Sequence, residues 1–157
     1  MSLNVINKII VNSDRAMQEL GELIGSNLRG GEFIELRSDL GGGKTTLVKG
    51  IAKGAGTDDY VSSPTFTIRN DYRAKRFNIA HIDLYRLDDP GIIESMLVEV
   101  LNNTNIVTII EWGESLERVF PEQRIKISFS VISLTSRELL IERPTEFNYL
   151  FEGLKVN

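Results

Sequence analysis

The residues with the plainest chemistry in this chain run from Ser38 to Thr46, SDLGGGKTT. They match the phosphate-binding pattern G-x-x-x-x-G-K-S/T at every fixed position except the first, where Ser38 stands in place of glycine. The chemistry needs these residue types. Glycines permit positive φ, so successive backbone N–H groups can converge on one set of phosphate oxygens. Asp39, Leu40, Gly41, Gly42 and Gly43 would form that cradle. Lys44 would reach the β- and γ-phosphates, and Thr45 would place its hydroxyl on magnesium. A helix starting near Gly43 would add the positive end of its dipole. Ser38 brings a side chain into a turn that is usually bare, although three consecutive glycines keep the needed freedom. The plain alternative is a flexible turn in which GKT is coincidence. An apolar strand before the loop and an amphipathic helix after it argue for phosphate.

A phosphate loop with magnesium calls for a carboxylate at the end of a neighbouring strand, and two positions qualify. Glu111 follows the apolar run IVTII, and Asp83 lies in the more polar NIAHIDLY. Strand character favours Glu111 as the magnesium-side acid. Reach suggests a division of labour instead: the shorter Asp83 serves the metal, and the longer Glu111 meets a water in line with the γ-phosphate. Alternation puts His81, Asp83 and Tyr85 on one strand face. A packed or hydrogen-bonded His81 is preferred over a metal ligand. Arg86 either senses phosphate or is a solvated arginine beside Asp88 and Asp89. Trp112 is a core residue, a base-stacking surface or a partner contact. Ser62–Thr67, SSPTFT, reads as a switch whose hydroxyls follow the γ-phosphate or its metal, or as a Ser-Pro turn. Arg69, Arg73, Lys75 and Arg76 make a local basic cluster, read as a solvated hairpin tip with RNA or an acidic partner as the alternative. No N-K-x-D guanine-reading motif is present, so ATP is the expected nucleotide.

These residues need a scaffold. A strand is expected over Asn4–Val11, then Ser13 as N-cap of a helix with Met17, Leu20, Ile24 and Leu28 in one stripe. Gly30 and Gly31 end that helix, Glu32–Arg37 forms a strand, and the loop leads into a helix burying Leu47, Val48, Ile51 and Ala52. A hairpin follows, Thr65–Tyr72 and Phe77–Leu84. Asp89 and Pro90 would start a helix with Ile92, Ile93, Met96, Leu97 and Val100 on one face. Ile106–Ile110 reads as a buried strand. Ile125, Ile127, Phe129 and Val131 alternate, as do Leu139 and Ile141, giving an antiparallel pair. The expected fold class is α/β: a P-loop NTPase-like mixed sheet flanked by helices, with antiparallel strands at the N- and C-terminal parts, in one domain over 1–157.

Composition narrows the chemistry further. The chain has 157 residues, no cysteine, one histidine and a net charge of −4. A thiol nucleophile, a Cys-bound metal and a multi-His metal site are excluded. No apolar run approaches the ~20 residues of a membrane helix, and MSLNVINKII lacks a signal-peptide pattern. The expectation is a cytoplasmic protein without a membrane partner. A pI near 5.1 argues against unaided neutralisation of many nucleic-acid phosphates.

SDLGGGKTT, SSPTFT, HIDLYRL and IIEW, in this order and spacing, resemble the TsaE family of P-loop ATPases in bacterial tRNA threonylcarbamoyladenosine synthesis. The likeness runs from about Ser13 to beyond Trp112. The usual family loop reads G-D-L-G-A-G-K-T-T, so Ser38 and Gly42 are departures. The resemblance implies that Lys44, Thr45 and Thr46 hold phosphate and magnesium and that Asp83 serves the magnesium shell. It implies that Glu111 positions or activates water, that Thr65 belongs to a switch-like segment, and that Trp112 matters beside Glu111. It further implies weak ATP hydrolysis by the isolated chain, and a TsaD–TsaB heterodimer as partner, with tRNA held mainly by that partner. The competing readings are a small-metabolite kinase and a nucleotide-binding adaptor that does not hydrolyse.

Overall fold

The computed structural model describes residues 4–39, 41–85 and 90–155. Seven strands form one sheet: β1 (Asn4–Val11), β2 (Phe33–Arg37), β3 (Arg69–Arg73), β4 (Asn78–Asp83), β5 (Ile106–Glu111), β6 (Ile125–Val131) and β7 (Arg137–Pro144). Their order across the sheet is β1-β7-β6-β2-β5-β4-β3. The four central strands β6, β2, β5 and β4 run parallel, while β1, β7 and β3 are antiparallel to their neighbours. Of these, β2, β4 and β5 are buried on both faces, which explains their apolar runs.

Helices α1 (Asp14–Asn27) and α2 (Lys44–Gly54) cover one face, and α3 (Pro90–Leu101) with a 3-10 segment, Glu114–Val119, covers the other. Alternation along β2 divides the core. Ile34 and Leu36 join Met17, Leu20, Ile24, Leu47 and Ile51 on the first face, whereas Phe33 meets Leu97, Ile110, Leu116 and Phe120 on the second. The Ser13 hydroxyl accepts from the Ala16 N–H at 3.0 Å and starts α1, a cap that typically contributes about 1 kcal/mol. α1 and α2 cross at glycine: a Cβ on Gly21 would stand 2.8 Å from the Gly50 Cα. This close approach sets the depth at which α2, and so the glycine loop, sits on the sheet.

Three local expectations need correction. Thr65–Ile68 is a turn rather than the start of a strand: the N–H groups of Thr67 and Ile68 both bond the Pro64 carbonyl, and β3 begins at Arg69. Ile92 is 71% exposed, because the stripe that faces the sheet is Ile93, Leu97 and Val100, and Ile92 lies a helical step off it. Val131 is 60% exposed, since β6 there runs beyond the helices that cover Ile125 and Ile127. The Asp89 cap and the Arg86 phosphate contact lie outside the described residues. No described helix is long and apolar enough to cross a membrane.

Candidate functional site

β2 delivers the chain to the glycine loop at the C-terminal edge of the parallel strands, where open α/β sheets place their ligands. Gly41 and Gly43 adopt φ of +78° and +95°. A Cβ on Gly41 would meet nothing within 4 Å, so conformation, not space, calls for glycine there. Gly43 is the N-cap of α2 and makes no side-chain cap bond. The first-turn N–H groups of α2 thus open toward a cavity of about 350 Å³. Gly41, Gly42, Gly43, Lys44, Thr45, Thr46, Ser63, Thr65, Asp83, Glu111 and Trp112 line it, with Asp14 and Arg137.

Sheet register brings the two carboxylates together. Asp83 and Glu111 are direct partners across the parallel β4–β5 pair, 5% and 3% exposed. Glu111 Oε1 lies 3.9 Å from Lys44 Nζ, and its Oε2 lies 2.7 Å from His81 Nε2. Lys44 also donates to the Ser38 carbonyl at 3.3 Å and stands 4.3 Å over the Trp112 ring. Burial holds the Lys44 ammonium below its usual pKa, with Glu111 and Asp83 pulling the other way. A lysine so placed has shed much of its water and faces the cavity with an incomplete set of acceptors.

Asp83 is engaged at both oxygens: Oδ2 accepts from the Thr65 hydroxyl at 2.9 Å, and Oδ1 from the Tyr85 N–H at 2.9 Å. Ser63 and Thr65 share a hydrogen bond of 2.7 Å. The turn that removed Thr65 from the expected strand therefore aims it at Asp83. Among the described residues two non-glycines have positive φ, Ile68 at 67° and Trp112 at 58°, and they flank this site. Ile68 closes the Ser63–Thr65 turn, and Trp112 directly follows Glu111. Strain of this kind persists where the surrounding structure over-determines the backbone. Trp112 is half-buried, packs on the α3-side core and meets the Tyr85 ring at 4.9 Å.

Not every sequence-named residue arrives here. Asp39 is exposed and does not line the cavity, its carbonyl instead accepting from the Ser38 hydroxyl at 2.7 Å. Leu40 lies outside the described residues. His81 is fully buried with its ring nitrogens toward Glu111 and Tyr72, the packed, hydrogen-bonded histidine expected. In the basic cluster, Arg69 pairs with Asp71 at 3.0 Å, and Arg73, Lys75 and Arg76 are exposed around the hairpin turn.

Arg137 is the residue that motif reading missed. It opens β7, donates from Nη2 to the Gly41 carbonyl at 3.3 Å, and holds the Ser133 and Ser136 carbonyls from Nη1. Its buried Nε has no partner among the described residues. No local pattern marks it, because 96 positions separate it from Gly41 and the β2–β6 and β6–β7 pairings together unite them. Ser63 was within reach of the SSPTFT reading, and Asp14 sits beside the Ser13 cap.

The oxygen donors suit magnesium. Thr45 supplies a hydroxyl, and Asp83 and Glu111 supply carboxylates. Among the described residues no group of three or more His, Cys, Asp or Glu is placed to hold a metal ion.

A glycine loop joining a central parallel strand to a helix, with paired carboxylates on the two adjoining strand ends, defines a P-loop NTPase-like α/β protein. The chain belongs to the TsaE family: the sequence pattern of "Threonylcarbamoyl adenosine biosynthesis protein TsaE" matches residues 11–139. It is 36% identical to a Nostoc tRNA threonylcarbamoyladenosine biosynthesis protein TsaE over 74% of each chain. The Rickettsia typhi protein of the same description is 30% identical over 92% of this chain and 98% of its own. The fold superposes on a crystal structure of Bacillus subtilis YdiB with a TM-score of 0.77, at 25% identity, covering 97% of this chain and 95% of that one. The family places the chain in tRNA threonylcarbamoyladenosine biosynthesis.

Proposed function

We propose that the chain is a magnesium-dependent ATPase that binds ATP on Gly41–Thr46 and regulates or resets the TsaD–TsaB transferase in the cytoplasm. The observation that carries this reading is the position of Lys44, which rises from the glycine loop and points at Glu111. A triphosphate offers that lysine stronger acceptors than a carboxylate 3.9 Å away, so binding would draw Lys44 off Glu111. The released Oε1 would then orient a water and take its proton as the water oxygen bonds the γ-phosphorus and the bond to ADP breaks. Magnesium, held by Thr45 and Asp83 with Glu111 nearby, would supply charge neutralisation on the β- and γ-oxygens. Loop N–H groups and Lys44 position the phosphates.

Hydrolysis by the isolated chain is slow on this reading until a partner completes the site. The net charge of −4 supports tRNA being held mainly by the partners. The test is a reconstituted modification reaction. Phosphate release should rise when TsaD–TsaB and tRNA are added, and modification should stall after early turnovers when this chain is omitted. Unstimulated release together with unimpaired modification would overturn the reading.

A further inference from the structure

Glu111 is gripped on its inner side by a chain of groups that does not line the cavity. A carboxylate accepts only, so the hydrogen in the 2.7 Å contact belongs to His81 Nε2. The group facing Nδ1 is the Tyr72 hydroxyl at 3.5 Å. The same hydroxyl donates to the Ser62 carbonyl at 3.1 Å. A phenol has one proton, and burial raises the Tyr72 pKa, so that proton stays on the hydroxyl between Ser62 and His81. Asn70, the register partner of His81 on β3, adds bonds of 3.3 Å from its amide to the Ser62 carbonyl and hydroxyl. Ser62 immediately precedes the Ser63–Thr65 pair that reaches Asp83. The Ser62–Thr67 segment is thus tied to one acid at Thr65 and to the other through Ser62, Tyr72 and His81.

A buried imidazole between two polar groups, with no face on the substrate cavity, is explained by what it holds. We propose that His81 is a positioning residue for Glu111, fixing its Oε2 and coupling it through Tyr72 to Ser62. Segment 62–67 and the water-orienting carboxylate then adjust together. The proposal rests on Glu111 having the role assigned above.

His81 is the sole histidine of the chain, so its imidazole nitrogens give unambiguous NMR signals. Nε2 should bear a slowly exchanging hydrogen whose resonance moves in Glu111→Gln, and Nδ1 should move in Tyr72→Phe. A spectrum indifferent to both substitutions would overturn the proposal without any reference to hydrolysis. In the full system, His81→Leu should lower kcat about tenfold or more, the scale of one lost charge-assisted hydrogen bond. Nucleotide Kd should stay within about twofold, the scatter of independent sites. His81→Gln, whose amide N–H replaces Nε2–H, should recover most of the loss, and Tyr72→Phe should lower kcat less than His81→Leu. In a Glu111→Gln background, His81→Leu should add nothing. Equal losses in both backgrounds, or wild-type kcat in His81→Leu, would overturn the inference. If His81→Leu does not fold, His81→Gln and Tyr72→Phe together with the spectra decide it. A wild-type protein that releases no phosphate even with partners overturns the proposed function instead, and the spectra still decide whether His81 holds Glu111.

Discussion

Ser38 occupies the space that a side chain on Gly42 would need: a Cβ on Gly42 would stand 2.7 Å from the Ser38 Cβ, closer still to its Oγ. Carbon atoms in contact prefer about 3.5–4.0 Å, so the two positions cannot both carry a side chain without the loop shifting. The usual family loop has glycine at the first of these places and alanine at the second. The two departures noticed in the sequence are therefore one exchange, in which the side chain has moved across the turn. Gly42→Ala alone should weaken ATP binding by roughly tenfold, since overpacking costs about 1–3 kcal/mol. Ser38→Gly alone should be tolerated, and the double variant should restore affinity. Titration calorimetry on the four proteins gives the coupling. Additive losses would show that the positions do not exchange space.

Arg137 leads to a second prediction. Its guanidinium lines the cavity and meets the Gly41 carbonyl, so it supports the loop and presents positive charge to an incoming anion. Arg137→Gln should raise the Kd for ATP by about tenfold or more, as expected for a lost charged hydrogen bond. Arg137→Lys should recover little, because an ammonium lacks the planar fork. The sole tryptophan, Trp112, lines the same cavity and gives a fluorescence readout. An unchanged Kd would mean that Arg137 serves only as a strut for the turn before β7.

The contrast between Lys44 and Arg137 shows what the sequence could reveal. The loop, Thr45, Asp83 and Glu111 were legible because each lies at a strand end or helix start that local pattern marks. The α1 stripe and the central strands were legible for the same reason, as their periodicity follows directly from burial. Thr65 was misplaced in a strand because alternation cannot register a turn that Pro64 and a positive φ at Ile68 impose. Asp39 fits the motif pattern but points outward, since a loop that binds through backbone N–H groups leaves side chains unconstrained. The Arg137 contact depends on strand order, which no local spacing encodes, and the Tyr72–His81 contact on the register of the β3–β4 hairpin.

Glu32 and Tyr149 give a prediction about stability rather than catalysis. Buried Glu32 accepts from the Arg29 N–H at 2.8 Å, the Gly30 N–H at 2.7 Å and the Tyr149 hydroxyl at 2.8 Å. It pins the α1–β2 turn to a C-terminal 3-10 segment, Thr145–Phe151. Burial first, and the bond to Glu32 next, raise the Tyr149 pKa well above its ordinary value. The folded state therefore holds this proton more tightly than the unfolded chain. The resulting stability is complete below about pH 10 and is lost as pH rises through the folded-state value. Tyr149→Phe should cost about 1–3 kcal/mol near neutral pH by depriving Glu32 of a donor. It should also flatten the decline in stability above about pH 10. Urea unfolding across that range checks both, and an unaltered alkaline slope would remove Tyr149 from the account.

Lys44 titrates with the opposite sign. Burial lowers its folded-state pKa, so the nucleotide-free folded protein binds that proton less tightly than the unfolded chain does. Between the folded-state value and the unfolded one near 10.4, stability should rise with pH. Lys44→Met removes the charge while keeping much of the stem, and should abolish ATP binding without destabilising the empty protein. The stability difference, wild type minus Lys44→Met, should increase as pH climbs toward about 10. Chemical unfolding of both proteins at matched pH isolates this lysine from the tyrosines, which titrate in each. A large fall in stability for nucleotide-free Lys44→Met would instead make Lys44 a structural residue, and the cavity would lose its main claim to phosphate.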